Sequence, residues 1–393
     1  MKQRVVVGMS GGVDSSVAAY LLKEQGYEVV GMFMKNWHDE SVTLSDECPW
    51  IEDSNDAMLV AEQLEIPFHV IDLSTDYKNR IVDYMFAEYQ AGRTPNPDVL
   101  CNREIKFDVF LKAAKNLGAE FVATGHYCRK KVDSHGFFHL FSGLDKNKDQ
   151  SYFLCQLNQY QLSKALFPIG ELQKNEVRAI AEKENLVTAQ KKDSQGLCFV
   201  GKISLPLFLQ QKLKIKVGKV IEIPSDHNLL LAYSQIPVDL SNVHKLSNRF
   251  QFVENDGIEV TQHQGAHFYT IGQRKGLHIG GRPLPSFVIE TDINQNIVYS
   301  GQGENHPALN KWALRIKKND VHWIIPDNTI KENETLEVYC RIRYRQALQK
   351  ATLFLNSDFL YVLFKEKQKG VSPGQFACFY LDEELIGSGI IES

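Results

Sequence analysis

The sequence predicts an α/β protein in three parts: an N-terminal domain on a parallel sheet, a small mixed central domain, and a C-terminal antiparallel barrel or sandwich. Three observations carry this. Through residues 4–125 short apolar runs alternate with helix-forming segments, the pattern of βαβ units. Beyond Gly280-Gly281 short strands follow one another with few helical patterns, as in a small barrel or sandwich. The chain, at 393 residues, is also longer than a single core usually spans.

In order, the runs Arg4–Met9, Glu28–Met34, Phe68–Leu73 and Phe121–Gly125 read as strands, separated by helical stretches such as Ser16–Gln25 and Asp53–Leu64. Ligands of parallel sheets bind beyond the carboxyl ends of the strands, where Gly8–Ser15 and Gly125-His126 fall. Residues 1–205 form this domain. Residues 206–282 are mixed and form the central one. Residues 283–393 form the barrel, beginning with strands at Ser286–Glu290 and Ile297–Ser300 and including Leu336–Tyr344, Phe376–Tyr380 and Leu385–Ile391. There is no internal repeat and no low-complexity tract.

Composition is that of a soluble globular protein, with 43% hydrophobic and 23% charged residues. A net charge of −4 offers no bulk attraction to nucleic acid, so an RNA partner has to be held by local basic patches. No apolar run reaches the ~18 residues of a membrane helix, and the first strand begins by Arg4, so a cytoplasmic protein without a leader is expected. The 7 cysteines are scattered with no C-x-x-C pair. That argues against a disulfide framework or zinc ribbon and leaves individual reactive thiols.

The first strand runs directly into "GMSGGVDSS", Gly8 to Ser16. A Walker loop needs a lysine after its glycines, and none lies between Gly8 and Tyr20; the dinucleotide fingerprint G-x-G-x-x-G does not fit either. What remains is a glycine turn with hydroxyls, an Asp14 able to hold Mg²⁺, and a helix N-terminus with open N–H groups. Together these grip a pyrophosphate. A merely tight turn explains two glycines but not Ser10, Asp14 and Ser15 together.

"SGGVDS", Ser10–Ser15, resembles the pyrophosphate loop of the N-type ATP pyrophosphatases. Further motifs narrow the resemblance: "RTPNPDVLCNREIKF" (Arg93–Phe107), "ATGHY" (Ala123–Tyr127), "DKNKDQSYFL" (Asp145–Leu154), "KKDSQGLCFV" (Lys191–Val200), "HFYTIGQRKGLHIGG" (His267–Gly281), "RIRYRQ" (Arg341–Gln346) and "SPGQFACFY" (Ser372–Tyr380). In this order they are similar to the motif series of the tRNA-specific 2-thiouridylases. The resemblance implies an adenine-nucleotide hydrolase-like N-terminal domain and replacement of the C2 oxygen of the wobble uridine, position 34 of tRNA, by sulfur.

Such chemistry explains the residue types. A uridine C2 oxygen leaves poorly until it is adenylated, so ATP is needed, and the sulfur arrives best as a protein persulfide. By the resemblance, Cys198 carries the persulfide, Cys101 is the partner nucleophile that forms a transient disulfide, and Asp98 is a base or orienting group in a target-base pocket with Asn96 and Pro97. The nucleotide falls to Gly8, Met9, Ser10, Gly11, Gly12, Val13, Asp14 and Ser15, with Met34 and Gly125. The tRNA falls to His126, Lys148, Asp149, Gln150, Arg343, Tyr344 and Gln375. The implied partners are the anticodon loop of lysine, glutamate or glutamine tRNAs and a sulfur-relay protein or cysteine desulfurase as persulfide donor, with no membrane.

Each assignment has an ordinary alternative. Met34 alone reads as a core methionine, Gly125 as a turn glycine, and His126 as a locally bonded imidazole. Cys155, Cys340 and Cys378 read as small buried hydrophobes; Cys48 and Cys128 are open, Cys128 as a chance competitor for sulfur. Cys101 and Cys198 sit among Pro, Gly, Asn and Asp, a loop setting, with Arg103, Lys106, Lys191 and Lys192 near enough in sequence to lower a thiol pKa. Strand alternation places Arg341, Arg343 and Arg345 on one face, either for RNA or as a solvated surface. Residues 224–256 are longer than the family's central domain and read as an insertion. Two rivals remain: a small-molecule ligase with the same loop, which has no use for two cysteines, and a non-catalytic RNA-binding protein, which needs neither Asp14 nor Asp98.

Overall fold

The computed structural model describes residues 2–36, 49–192, 205–210, 212–327 and 329–393. Strand β1 (Arg4–Gly8) is β-branched and buried on both faces, as a central parallel strand requires. It leads through the glycine turn into helix α1 (Val13–Glu24). Next come β2 (Glu28–Lys35), α2 (Pro49–Gln63), β3 (Phe68–Asp72) and β4 (Phe121–Ala123). After a hairpin of β5 (Cys128–Val132) and β6 (Phe138–Ser142), the short β7 (Ala165–Leu166) completes a five-stranded parallel sheet in the order β3-β2-β1-β4-β7. The chain leaves β1 to one side towards β2 and returns on the other at β4. Their carboxyl ends therefore open a crevice, the place where such sheets bind ligands.

The central sheet has the order β10-β11-β8-β9, with β8 (Gly218–Glu222), β9 (Ile258–His263), β10 (Ser286–Asp292) and β11 (Ile297–Gln302). This corrects the expected boundary at residue 283. The two strands expected to open the barrel pair instead within the central sheet, β11 lying parallel to β8 from Ile297↔Lys219 to Ser300↔Glu222, because their apolar residues pack against Ile221, Ile223 and the following helices.

The barrel consists of β12 (Asn310–Trp323), β13 (Thr335–Arg341), β14 (Gln349–Asn356), β15 (Phe359–Lys369), β16 (Phe376–Leu381) and β17 (Glu384–Ile391), closed by β12 against β17. The β5-β6 hairpin extends this sheet through Phe141↔Glu384 and Leu140↔Leu385. The expected division at 205 is thus crossed by main-chain pairing, and one apolar cluster runs from Met34 and Phe110 to Cys378 and Leu385.

The expected insertion contains the helices Asn228–Ser234 and Val243–Ser247. It fastens the central sheet to the barrel: the Lys311 ammonium donates to the Asn248 carbonyl at 2.8 Å, the Trp312 N–H to the Tyr233 hydroxyl at 3.2 Å, and the Ser393 hydroxyl to the Ser247 carbonyl at 2.9 Å. Among the described residues, no helix is long and apolar enough to cross a membrane.

Candidate nucleotide and thiolation site

The phosphate loop is built from its own residues. Gly11 has φ +70°, and a Cβ there would run into the Asp53 carbonyl of α2. The Ser10 N–H donates to the Ser15 hydroxyl at 3.1 Å, and that hydroxyl donates to the Gly12 carbonyl at 3.0 Å. Gly12 caps α1 without any side-chain bond. The first-turn N–H groups therefore have no capping side chain among the described residues, which fits an anionic phosphate chain. Gly125 closes the other wall; a Cβ on it would stand 2.7 Å from the Asp14 carbonyl carbon and 2.8 Å from the Ser15 nitrogen. Any larger residue there would push β4 and α1 apart.

Asp14, beside the loop, is bonded within the protein. The Lys174 ammonium donates to Oδ1 at 2.8 Å and Oδ2 at 2.9 Å, and the Tyr127 hydroxyl donates to Oδ1 at 2.8 Å. Oδ1 thus accepts two bonds and Oδ2 one, and among the described residues no cluster of three metal-binding side chains occurs. Lys174 brings a cation to the loop from the first turn of the helix Lys174–Lys183. Sequence reading missed it because a Walker lysine is sought inside the loop, whereas this one lies 160 residues away. Met9 and Met34 are core methionines in their side chains; the Met34 methyl would lie 3.5 Å from a Cβ on Gly8. Val13 likewise turns into the core.

The segment expected to hold the target base is helical. Asn96 caps the turn Pro97–Leu100 by accepting from the Val99 N–H at 3.3 Å, and Pro97 at the first position needs no N–H partner. The Asn96 side chain also bonds the Tyr152 hydroxyl. A π-helical stretch, Cys101–Val109, follows directly; such stretches are frequent at functional sites. Cys101, expected in a loop, is fully buried on this helix. It lies three residues after the half-buried Asp98, a separation that puts both on one helix face. The run continues into the helix Phe110–Asn116, whose first residue has its ring 3.6 Å from where a Cβ on Gly8 would stand and so packs against the start of the phosphate loop.

Cys198 lies outside the described residues, as does Cys48. Of the cations expected near the thiols, Lys191 bonds Asp53 at 2.7 Å and also Asp56. Arg103 bonds Glu104 at 2.7 Å and the Gln156 side-chain oxygen Oε1 at 2.9 Å, while Lys106 is buried beside His126. Burial, reinforced by Lys106, holds the His126 imidazole well below its ordinary value, so the ring is neutral. It sits 2.7 Å from the Thr124 hydroxyl, between Phe107 and Phe167. Burial pushes the Cys128 thiol well up, which removes it as a competing nucleophile. Cys155, Cys340 and Cys378 are buried core thiols as expected.

The structure corrects the RNA-facing set at two places. The strand β13 ends at Arg341, so the three arginines share no strand face. Arg341 turns inward: its guanidinium donates to Asp149 at 2.7 Å, the Ser151 hydroxyl at 3.0 Å and the Tyr380 hydroxyl at 2.6 Å. Asp149 is thereby buried, also accepting from the Gly143 and Ser151 N–H groups at 3.1 and 3.0 Å, and is not turned towards an RNA. Gln150 accepts from the Tyr127 N–H at 3.0 Å, and its own N–H donates back to the Tyr127 carbonyl.

Lys148, Arg343 and Tyr344 stay at the surface. Arg343 donates to the Gly370 carbonyl at 2.6 Å, and Tyr344 lies against Phe153 with ring centroids 4.4 Å apart. A cavity of about 340 Å³ opens beside Arg343, lined also by Thr270, Gln273, Ser372 and Gln375.

Family models match three stretches of the chain: a "tRNA methyl transferase HUP domain" over residues 3–202, a "tRNA methyl transferase PRC-barrel domain" over 244–302 and an "Aminomethyltransferase beta-barrel domain" over 314–391. Three curated relatives carry the name tRNA-specific 2-thiouridylase MnmA. The protein of Christiangramia forsetii is 59% identical, covering 99% of this chain and 100% of the relative. That of Flavobacterium johnsoniae is 58% identical, covering 99% and 100%. That of Karelsulcia muelleri is 50% identical, covering 99% of each.

Proposed function

Since the chain belongs to the tRNA-specific 2-thiouridylases and is an ATP-using enzyme of tRNA uridine thiolation, we propose the following course for its reaction at the wobble uridine. ATP lies with its phosphates on the N-terminus of α1 and the turn Ser10–Ser15, beside Lys174. The uridine C2 oxygen attacks the α-phosphorus; the bond to pyrophosphate breaks and an adenylated base forms. The outer sulfur of a Cys198 persulfide then attacks C2, and AMP leaves with the former C2 oxygen. Cys101, as thiolate, attacks the inner sulfur. The sulfur–sulfur bond breaks, 2-thiouridine is left on the tRNA, and the two cysteines remain as a disulfide that an external thiol reduces.

The observation that carries this reading is one of packing. The helical run bearing Asp98 and Cys101 continues into the helix Phe110–Asn116, whose first residue packs against Gly8, and this continuity between the cysteine-bearing helix and the phosphate loop supports the reading. Lys148, Arg343 and Tyr344 supply surface charge and a ring for tRNA, with His126 as a neutral wall of the base pocket. Asp14, whose Oδ2 accepts one bond, is the residue that would hold a magnesium ion beside the loop, and the ion's charge would ease the departure of pyrophosphate. The persulfide donor is a sulfur-relay or desulfurase protein, and the tRNAs are those for lysine, glutamate and glutamine.

The test is thiolation of an unmodified transcript with uridine at position 34, given Mg-ATP and a persulfide source, against a cytidine-34 control. Retarded migration of the uridine transcript alone on a mercury gel is the expected result. Thiolation in a Cys198→Ser variant would remove the persulfide assignment, and thiolation of the cytidine control the base assignment.

A further inference from the structure

The segment leading into Asn96, Pro97 and Asp98 is gripped from two other parts of the chain. On the barrel side, the Thr94 N–H donates to the Pro373 carbonyl at 2.8 Å. The Gln375 carboxamide nitrogen donates to the Thr94 carbonyl at 2.9 Å and the Pro95 carbonyl at 3.1 Å. On the central side, the Thr94 hydroxyl lies 2.9 Å from the Thr270 hydroxyl. The two gripping loops are tied to each other, since the Ser372 hydroxyl donates to the Ile271 carbonyl at 3.1 Å. The approach is close: Gly374 has φ +90°, and a Cβ on it would stand 2.9 Å from the Thr94 carbonyl oxygen. Below the grip, Arg93 is anchored by Glu88, its Nε donating at 2.7 Å.

A carboxamide nitrogen has two hydrogens, and Gln375 directs both at carbonyls of this one segment. No donor is left for an RNA. We propose that Gln375 is a positioning residue for the target-base loop, with Thr270 as its counterpart from the central domain, and that both act on turnover and not on tRNA affinity. The inference rests on the thiolation reading above and deepens it: the barrel and the central domain hold the loop that presents Asp98 and Cys101 to the base.

Single-turnover thiolation at saturating uridine-34 transcript and equilibrium transcript binding, both on the full chain, test it. Gln375→Met keeps the length and removes both donors; its rate should fall about 10- to 100-fold, the cost of a displaced reacting group, with a dissociation constant within about twofold of wild type. Gln375→Lys should recover most of the rate, because an ammonium can serve two carbonyls, as Lys130 does for Leu162 and Ala165 at 2.9 and 2.6 Å. Thr270→Val should lower the rate in the same direction and more weakly, and keeps the question answerable if the methionine variant does not fold. A dissociation constant raised about tenfold or more at unchanged saturated rate would overturn the proposal and make Gln375 an RNA contact. Variants equal to wild type in both measurements would overturn it too, leaving the thiolation reading intact. Absence of thiolation by the wild type would sink that reading and the positioning role with it.

Discussion

The phosphate loop and the segment leading into Asn96–Asp98 are held in different ways. The phosphate turn has its own internal ties, Ser10 to Ser15 and Ser15 and Ser16 to Gly12, over separations of three to five residues, with Asp14 and Ser16 also reached by Lys174, Tyr127 and Thr188. The target-base loop is tied across the molecule, Thr94 and Pro95 to residues 270, 373 and 375. The backbone turn of the first kind is largely shaped wherever its strand and helix form. One of the second kind has its shape only when all three parts of the chain are assembled. ATP binding should therefore depend mainly on local chemistry, and the steps that need the base presented, adenylation and sulfur transfer, on domain assembly as well.

The sharpest separation comes from the cysteine. Cys101→Ser should abolish net thiolation under multiple turnover while leaving α1 and its phosphate loop unchanged, so that ATP still binds and protects the fold against heat. Loss of ATP binding in this variant would show that the two loops are not independent. Lys174→Met should come next, lowering AMP formation by roughly 10²-fold, as for loss of a fixed charge beside a reacting phosphate, with tRNA affinity unchanged. AMP formation at the wild-type rate would confine Lys174 to orienting Asp14.

Arg341→Leu is expected to act on stability. Removing one partner of a buried ion pair costs about 3–5 kcal/mol, and Asp149 would be left buried without its cation. Denaturant unfolding measures it. Unchanged stability with weakened tRNA binding would return Arg341 to the RNA-facing set. The smallest effect concerns pH. Burial lowers the imidazole pKa of His126, His306 and His322. Below about pH 6.5 the unfolded chain binds protons that the folded chain does not. The histidine contribution to stability is thus complete above that pH and is lost as pH falls towards the depressed folded values. The thermal midpoint should decline from pH 7 to pH 5.5, and His322→Gln, which removes one such group, should flatten the decline. A decline of the same steepness in the variant would assign it to other groups.

What could be read in the sequence follows the same division. The glycine loop, its serines and the strand-to-helix turn are local, and "SGGVDS" states them within six letters. Cys101 was found through its motif, although its setting was misjudged: Pro97 and Asn96 signal a loop, but here they start a helix. The barrel was legible from strand spacing. Its partnership with the β5-β6 hairpin was not, since the pairing of residues 140–141 with 384–385 leaves no local trace. Likewise Ser286–Asp292 and Ile297–Gln302 look like any short strands, and only their apolar contacts with the central domain decide which sheet they join. "RIRYR" has strand alternation, yet the strand ends at its first arginine because Arg341 is drawn inward by Asp149. Lys174 had no signal at all, being an ordinary lysine at a helix start until the fold brings Asp14 to it.

The central claim is that the uridine oxygen becomes part of the departing adenylate. It is tested most directly by giving the protein Mg-ATP, a persulfide source and a transcript whose position-34 uridine carries heavy oxygen at C2, then weighing the AMP. The account predicts heavy oxygen in the phosphate of AMP, in proportion to the 2-thiouridine formed. Thiolation with unlabelled AMP, the heavy oxygen appearing in water or pyrophosphate, would contradict it.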